Sequence, residues 1–314
     1  MVTNNGAYSI LKSPQDALAQ LGGWGLVRDD SGPSRVYRQC LGLKNPSRKA
    51  TECHLAGTPK CRCPVYHSVT SILSATQDKS GLEQWAARTD RAYGPGAAVQ
   101  DRNVAAMRGT QTHNQAEYLL KTANKLSRNA ANRTGAFKAG ADGLYRTPSS
   151  MYQWALAKAS KKLPPCGWSS AGYARSLTGW ITENVTQCFA CEASIHHPAG
   201  FAGTFDALLS VSAETLERYG GDTALAGAPM VADWKTSAKR KTEAGLENYR
   251  LQAGAYALGL EHLTGIVPQG AFIVLARRVG PPDIAFMSRD ELVLAQDAYL
   301  QRCRIFYEQL ELAA

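Results

Sequence analysis

The chain has 314 residues, of which 44% are hydrophobic and 19% are charged, and its formal net charge is +9. This length suits one large domain or two small ones, and the composition is typical of a globular protein rather than a disordered one. No apolar run approaches the roughly 18 residues that a membrane span needs, and the first residues lack the pattern of a secretory signal. We therefore expect a protein of the cytoplasm that does not associate with a membrane.

The first part of the chain, residues 1–67, is rich in Gly, Pro, Ser and Arg, which predicts a loop-rich, basic region. It holds four cysteines and a histidine that could serve as metal ligands: Cys40, Cys53, Cys61, Cys63 and His54. In a chain without an export signal, these thiols favour a structural zinc ion or simple burial over disulfides. The C-x-C end and the irregular gaps favour a segment without zinc, either docked on the rest of the protein or mobile.

Helices are predicted to begin after residue 67. Ser68 or Thr70 is a candidate cap for a short helix, and Ser80 for a second one. Apolar periodicity then predicts three helices, at residues 98–127, 149–160 and 170–187. Gly109 interrupts the first of these three, which indicates that another part of the molecule approaches it closely.

The second half of the chain alternates strands with helices. The pattern predicts strands at residues 201–211, 228–236 and 269–278, and helices at 242–263 and from the Ser288–Glu291 capping box to about Leu312. We expect an α/β (α+β) fold with a central mixed sheet flanked by helices.

The positive charge is concentrated in one segment. Residues 101–175 contain twelve basic residues and three acidic ones, with seven aromatic residues between them. Basic groups that neutralise phosphates and rings that stack on bases are what a single-stranded nucleic acid requires, and Lys121, Lys125 and Arg128 are the candidates for such contacts. The alternative is a solvated basic face over ordinary core aromatics.

Two charged residues occur in the apolar strand at 228–236. Asp233 and Lys235 project to the same side because side chains alternate along a strand, and a buried unpaired carboxylate is unfavourable. Asp206, at a similar position in the preceding strand, supplies a second carboxylate. Two carboxylates and a lysine suit a divalent-metal site that attacks a phosphodiester. The alternative is a structural Asp–Lys pair.

Four segments in order resemble the PD-(D/E)XK nuclease superfamily, in its RecB-type exonuclease branch: RGTQTH (108–113), GTFD (203–206), DWKTS (233–237) and YRLQAGAY (249–256). The segment that begins at Ser68 is also similar to mitochondrial genome maintenance exonucleases and their phage relatives. The resemblance implies a restriction-endonuclease-like core in residues 68–314. Within it we expect a basic helical insertion (101–190), a catalytic core (191–280) and a C-terminal helix (288–312).

The resemblance also assigns roles to individual residues. It implies that Mg²⁺ or Mn²⁺ is bound by His113, Asp206 and Asp233, that Lys235 is catalytic, and that Gln252 and Tyr256 contact DNA. Glu192 matches an acidic position of this branch and is a further candidate ligand. For Gln252 and Tyr256, a half-buried amphipathic helix is the alternative.

The cysteine and histidine motifs of the second half of the chain do not predict a functional site. The late cysteines that clamp an iron–sulfur cluster in some RecB-like nucleases are missing, since only Cys303 follows residue 191. We therefore expect no such cluster. Cys188 and Cys191 have metal-like spacing but no second pair nearby, which favours buried thiols, and we expect His196 and His197 to be structural.

The expected function is metal-dependent DNA exonuclease activity on single-stranded ends or flaps, in replication, recombination or repair. If the protein is encoded by a phage, it would act in the cytoplasm of the bacterial host. An endonuclease, or a non-catalytic DNA-binding recombination protein of the same fold, is the alternative. The sequence has no ATP-binding glycine–lysine loop, so a helicase would be a separate partner, as would a recombinase.

Overall fold

The computed structural model describes residues 14–21, 26–32, 34–39 and 63–313. An eight-stranded mixed sheet with helices on both faces forms its centre, which confirms the predicted α/β class. Eight strands make the sheet and two make a separate small hairpin. No helix in these ranges is long and apolar enough to cross a membrane.

The described parts of the N-terminal region contain regular structure where we predicted mainly loops. They form one helix and three strands: α1 (Pro14–Gln20), β1 (Leu26–Asp29), β2 (Val36–Gln39) and β3 (Val65–Ser68). β1 and β2 pair antiparallel, β2 pairs with β3, and β3 joins the rest of the sheet beside β7. The candidate zinc ligands Cys40, Cys53, Cys61 and His54 lie outside the described residues, and Cys63 is half-buried.

Helices dominate the next part of the chain. They are α2 (Val69–Thr76), α3 (Ser80–Tyr93), α4 (Ala97–Thr134), α5 (Ser149–Ser160) and α6 (Trp168–Asn184), with the hairpin β4 (Lys138–Ala139) and β5 (Tyr145–Arg146) between α4 and α5. The predicted cap at Ser68 is confirmed, because its hydroxyl accepts a hydrogen bond from the Ser71 N–H. A Cβ added at Gly109 would lie 3.9 Å from Thr236 Oγ1, so α4 passes over the end of the strand that carries the Asp–Lys pair.

The C-terminal half supplies the central strands. Its elements are β6 (Val185–His197), β7 (Phe201–Val211), α7 (Ala213–Arg218), a short 3₁₀ helix (Thr223–Leu225), β8 (Met230–Thr236), α8 (Glu243–Thr264), β9 (Gly270–Ala276), β10 (Asp283–Ser288) and α9 (Arg289–Ala313). The prediction missed β6 and β10, and it ended α6 three residues too late. The predicted capping box is confirmed: the Ser288 N–H donates to Glu291 Oε2 and the Glu291 N–H donates to Ser288 Oγ.

β7 is the strand around which the sheet is organised. β6 pairs antiparallel with β7 along one edge from Phe201 to Val211. The other edge is shared, because β3 pairs with residues 201–202 and β8 with residues 207–209. Residues 203–206 lie between these two pairings, so the neighbouring strands separate beside Asp206.

Two hydrophobic cores cover the sheet. One lies under α8 and α9 and includes Phe205, Tyr256 and Tyr299, while the other lies under α4, α5 and α6 and includes Trp180 and Trp234. Both cores are continuous with the middle of β7 and β8. The charged residues of these two strands therefore lie in a rigid, largely water-excluded part of the molecule.

Candidate metal centre

Three carboxylates lie in a row across the three central strands. The pairs Cys191–Ala207 and Ala193–Phe205 place Glu192 of β6 opposite Asp206 of β7. On the other edge, the register of Ala207 with Ala232 places Asp233 of β8 at the next position beside Asp206. The sheet thus brings together residues that the sequence separates by up to about forty positions.

Asp206 is the best-connected member of this row. It is 8% exposed, and its Oδ2 accepts a hydrogen bond of 2.6 Å from the Trp234 backbone N–H. Its Oδ1 lies 3.0 Å from His113 Nδ1. Burial acts to raise the pKa of Asp206, but His113, the charge of Lys235 and the Trp234 N–H together outweigh burial and hold the pKa below its usual value.

His113 approaches the row from α4. Burial lowers the pKa of His113, but the charge and hydrogen bond of Asp206 raise it more, to about 8. The metal-free protein therefore holds a charged imidazole against the carboxylate at neutral pH. A cation that replaced the proton would find the imidazole and the carboxylate already oriented.

Glu192 has a backbone conformation that side chains rarely adopt. Its φ angle is 49°, the one positive value at a non-glycine residue in the described ranges. The left-handed region costs an L-residue about 1 to 2 kcal/mol, and such strain tends to occur at functional sites. Burial raises the pKa of the Glu192 carboxyl to about 7, and the charge of Asp206 adds to the effect.

His113, Glu192 and Asp206 together could hold a metal ion. One ligand atom from each residue lies within 4.8 Å of the others. Two carboxylates and an imidazole form a donor set that divalent ions accept. The structure thus brings together three of the four residues predicted as ligands.

The fourth predicted ligand, Asp233, lies beside this group and contacts Lys235. Asp233 Oδ2 is 2.5 Å from Lys235 Nζ, and the carboxylate is 1% exposed. Its Oδ1 is buried and has no hydrogen-bond partner within the described chain, which is unusual for a carboxylate and suits an oxygen that accepts a cation. Burial raises the pKa of Asp233 to about 6, although Lys235 opposes the shift.

Lys235 remains charged in this environment. Burial acts to lower its pKa, but the charges of Asp233 and Asp206 outweigh burial and raise the pKa above its usual value. The ammonium also lies 5.2 Å from the centre of the Tyr249 ring, on α8. The motif YRLQAGAY contains Tyr249, and its position three residues before Gln252, on the same helix face, is the signal that could have identified it.

Gln252 and Tyr256 are buried side chains of α8 that contact each other. Gln252 Nε2 donates a hydrogen bond of 2.7 Å to the Tyr256 hydroxyl. A Cβ at Gly203 would come within 2.8 Å of Tyr256 Cε1, so the tyrosine ring packs directly against β7. The Tyr256 ring therefore holds α8 on the strand that carries Asp206, and the predicted contact of both side chains with DNA stays a prediction.

The predicted DNA-binding residues of α4 are exposed. Lys121, Lys125 and Arg128 project from successive turns, and Lys121 forms an ion pair with Glu117. Arg128 lies 5.5 Å from the centre of the Phe137 ring, which stacks on Tyr145 with 5.1 Å between ring centres. The basic face therefore ends in a pair of aromatic rings on the β4–β5 hairpin.

The cysteines and histidines of β6 that the sequence analysis singled out are not among the candidate metal ligands. Cys188 is buried, Cys191 is half-buried, and neither forms a disulfide. His197 stacks on Phe201 at 5.0 Å between ring centres.

The chain matches no protein-family model and has no significant match among curated proteins, so the resemblance noted from its motifs stays a prediction.

Proposed function

We propose that this protein is a Mg²⁺- or Mn²⁺-dependent deoxyribonuclease that hydrolyses phosphodiester bonds from single-stranded ends or flaps. One observation carries the proposal: Asp206 and Asp233 lie side by side on adjacent strands, with Lys235 beside Asp233 and with His113 and Glu192 around Asp206. Two buried acids and a half-buried one, together with a lysine and a histidine, are costly for a purely structural role, since burial penalises each charge.

The acids and the histidine would bind the ion, and the lysine would act on the reacting phosphate. A bound divalent ion would polarise the scissile phosphate and lower the pKa of an attacking water. Lys235 holds its positive charge where negative charge develops as the water oxygen bonds to phosphorus and the ester P–O bond breaks. Tyr249 and Asp233 fix the position of the ammonium group.

The exposed basic face of α4 supports DNA as the substrate. Lys121, Lys125 and Arg128 offer positive charge to a phosphate backbone, and the stacked rings of Phe137 and Tyr145 offer surfaces for unpaired bases. A single strand along this face would lead toward β6 and Glu192. A helicase or a recombinase would supply such strands as a separate partner, and the enzyme would act in the cytoplasm.

Degradation of end-labelled oligonucleotides tests the proposal. We expect 5′-labelled and 3′-labelled single strands to be shortened in the presence of Mg²⁺ or Mn²⁺ and to stay intact in EDTA. The labels also give the polarity. A circular single strand should resist cleavage, whereas its cleavage would indicate an endonuclease. Binding of DNA without any cleavage under either metal would indicate the non-catalytic alternative.

A further inference from the structure

A second concave site lies on the face of the sheet that α6 covers. It is a cavity of about 630 Å³ between α6, the end of α7 and the turn that joins β9 to β10. This volume is within the range of about 300 to 1,000 Å³ that small-molecule sites usually have. Trp180 forms part of its wall and packs on Trp234, with 6.1 Å between ring centres. Because side chains alternate along β8, Trp234 points away from Asp233 and Lys235, so this cavity is separate from the metal centre.

Three arginines from three different elements line the cavity. They are Arg175 of α6, Arg218 of α7 and Arg278 of the β9–β10 turn, against a single acidic lining residue, Glu183. Arg218 pairs with Glu214, and Arg278 lies 5.9 Å from the centre of the exposed Trp168 ring. Arg175 is exposed and has no ion-pair or hydrogen-bond partner among the residues that the structure describes. Arginine side chains that line one cavity favour a phosphate, which guanidinium groups can bind through paired hydrogen bonds.

The rest of the lining suits a planar ring. Trp180, Tyr219 and two prolines of the β9–β10 turn give apolar and aromatic walls. The Trp180 indole N–H is buried and has no hydrogen-bond partner within the described chain. The nitrogen is covered by neighbouring atoms, so the indole offers the cavity a planar surface rather than a hydrogen bond. Nucleobases provide a planar face that fits such a wall.

The walls of the cavity are held in place by backbone contacts. A Cβ at Gly172 of α6 would overlap the carbonyl of Arg278, so the turn packs directly on the helix backbone. The Arg277 N–H donates to Ser176 Oγ at 3.2 Å, and Gly280 supplies the positive φ of 82° that the turn requires. Arg278 is therefore presented by a fixed turn, which lowers the entropic cost of ligand binding.

We propose that this cavity binds one nucleotide unit, with the phosphate held by Arg175, Arg218 and Arg278 and the base against Trp180 and Tyr219. The unit could be a free nucleotide or the terminal nucleotide of a nucleic-acid strand, since both present the same phosphate and ring. This inference does not rest on the nuclease proposal, because none of its residues belongs to the metal centre.

Isothermal titration of the full chain with dAMP, in EDTA, tests the site without a contribution from divalent metal. We expect saturable binding of dAMP, with deoxyadenosine and inorganic phosphate each binding at least tenfold more weakly. Arg175→Ala should weaken dAMP binding at least tenfold, and because Arg175 is exposed the variant should fold normally, as circular dichroism can check. Arg304→Ala, which removes an exposed arginine of α9 on the other face of the sheet, is the matched control and should bind as the parent does.

Two results would overturn the proposal: no saturable dAMP binding by the parent protein, or unchanged binding in both Arg175→Ala and Arg278→Ala. Asp233→Asn should leave dAMP affinity unchanged, which keeps this test independent of the nuclease activity. A 5′-phosphorylated trinucleotide distinguishes the two sources of the ligand. Tighter binding of the trinucleotide than of dAMP identifies a strand end, and equal binding identifies a free nucleotide.

Discussion

At the scale of single residues, Asp206 connects the groups of the metal centre. It faces Glu192 on one side and Asp233 on the other, accepts the Trp234 N–H, and contacts His113. Its charged neighbours act on the ionisation of Asp206 in two opposite ways. The acids around it disfavour further negative charge, whereas His113 and Lys235 favour it, and the balance leaves Asp206 ionised while the pKa values of Glu192 and Asp233 rise to about 7 and about 6.

Replacement of Lys235 tests its proposed action on the phosphate. We expect Lys235→Ala to lower the cleavage rate by about 100-fold or more, the usual effect of removing one preorganised stabilising group, with DNA affinity nearly unchanged. Single-turnover cleavage and a separate binding assay in Ca²⁺ measure the two effects. Lys239→Ala, at an exposed lysine just after β8, is the control. Rapid cleavage by a folded Lys235→Ala protein would contradict the assigned role.

Replacement of Glu192 tests whether this residue binds the ion. Glu192→Gln keeps the size of the side chain but removes its charge, so we expect Mn²⁺ affinity to fall about tenfold or more, as for other changes close to a metal. Calorimetric titration measures the affinity. Glu117→Gln, one turn beyond His113 on α4, removes a comparable charge and should bind Mn²⁺ as the parent does. Equal affinities in the two variants would remove Glu192 from the ligand set.

At the scale of elements, α4 connects the basic face to the metal centre. It carries His113 at one point and Lys121, Lys125 and Arg128 over the following turns. Its buried side, with Ala116, Leu119 and Leu120 fully covered, fixes the helix on α5 and α6. The spacing between the exposed lysines and the carboxylates is therefore set by a rigid helix rather than by a loop.

Charge reversal on α4 tests the proposed DNA path. The triple change of Lys121, Lys125 and Arg128 to Glu should weaken single-strand binding and flatten its salt dependence. Each lost phosphate contact should reduce the log–log slope by about 0.7 on single strands. Reversal of Lys158, Lys161 and Lys162 at the end of α5 makes the same change in net charge elsewhere. If the α4 variant kept the slope of the parent protein, α4 would present an ordinary solvated face.

Most elements of the fold could be predicted, and the two missed strands show where the sequence signal fails. β7 and β8 are apolar and buried on both faces, so their patterns are clear. β6 mixes polar and apolar residues and contains register shifts against β7, which weakens the alternation that identifies a strand. Glu192 therefore could be identified only as an acid near the site. Its position opposite Asp206 depends on β6, which the sequence did not indicate.

The pairing within the site was also only partly predictable. The D-x-K spacing predicted that Asp233 and Lys235 project to the same side of the strand, and the structure shows the two side chains in contact. The contacts of Gln252 and Tyr256 depend on the packing of α8 against Gly203, which is a property of the tertiary structure. The cavity beside α6 had no sequence signal, because its three arginines lie on separate elements.

At the scale of the whole molecule, metal binding should stabilise the fold in a manner that depends on pH. A bound ion would compete with protons on His113 and Glu192, whose pKa values are raised to about 8 and about 7. In the metal-free protein, the His113–Asp206 ion pair contributes stability below about pH 6.5, as long as Asp206 is ionised, and this contribution is lost as pH rises through about 8. Metal should therefore become a stronger stabiliser as these protons leave.

Thermal unfolding with and without Mn²⁺ measures this effect. We expect saturating Mn²⁺ to raise Tm by several degrees at pH 8.5 and by much less at pH 6, with EDTA reversing the shift. Glu192→Gln should show a smaller shift at both pH values. A shift that is the same at pH 6 and pH 8.5 would exclude a ligand set that loses protons in this range.

The separation of the site residues along the chain has a consequence for protein synthesis. His113 leaves the ribosome long before Asp233, and β8 pairs with β9, whose last residue is Ala276. A partly made or truncated chain can thus present the basic helix α4 while it still lacks two of the charged groups that the proposed hydrolysis needs. On the proposed function, such a chain would bind nucleic acid without being able to cut it.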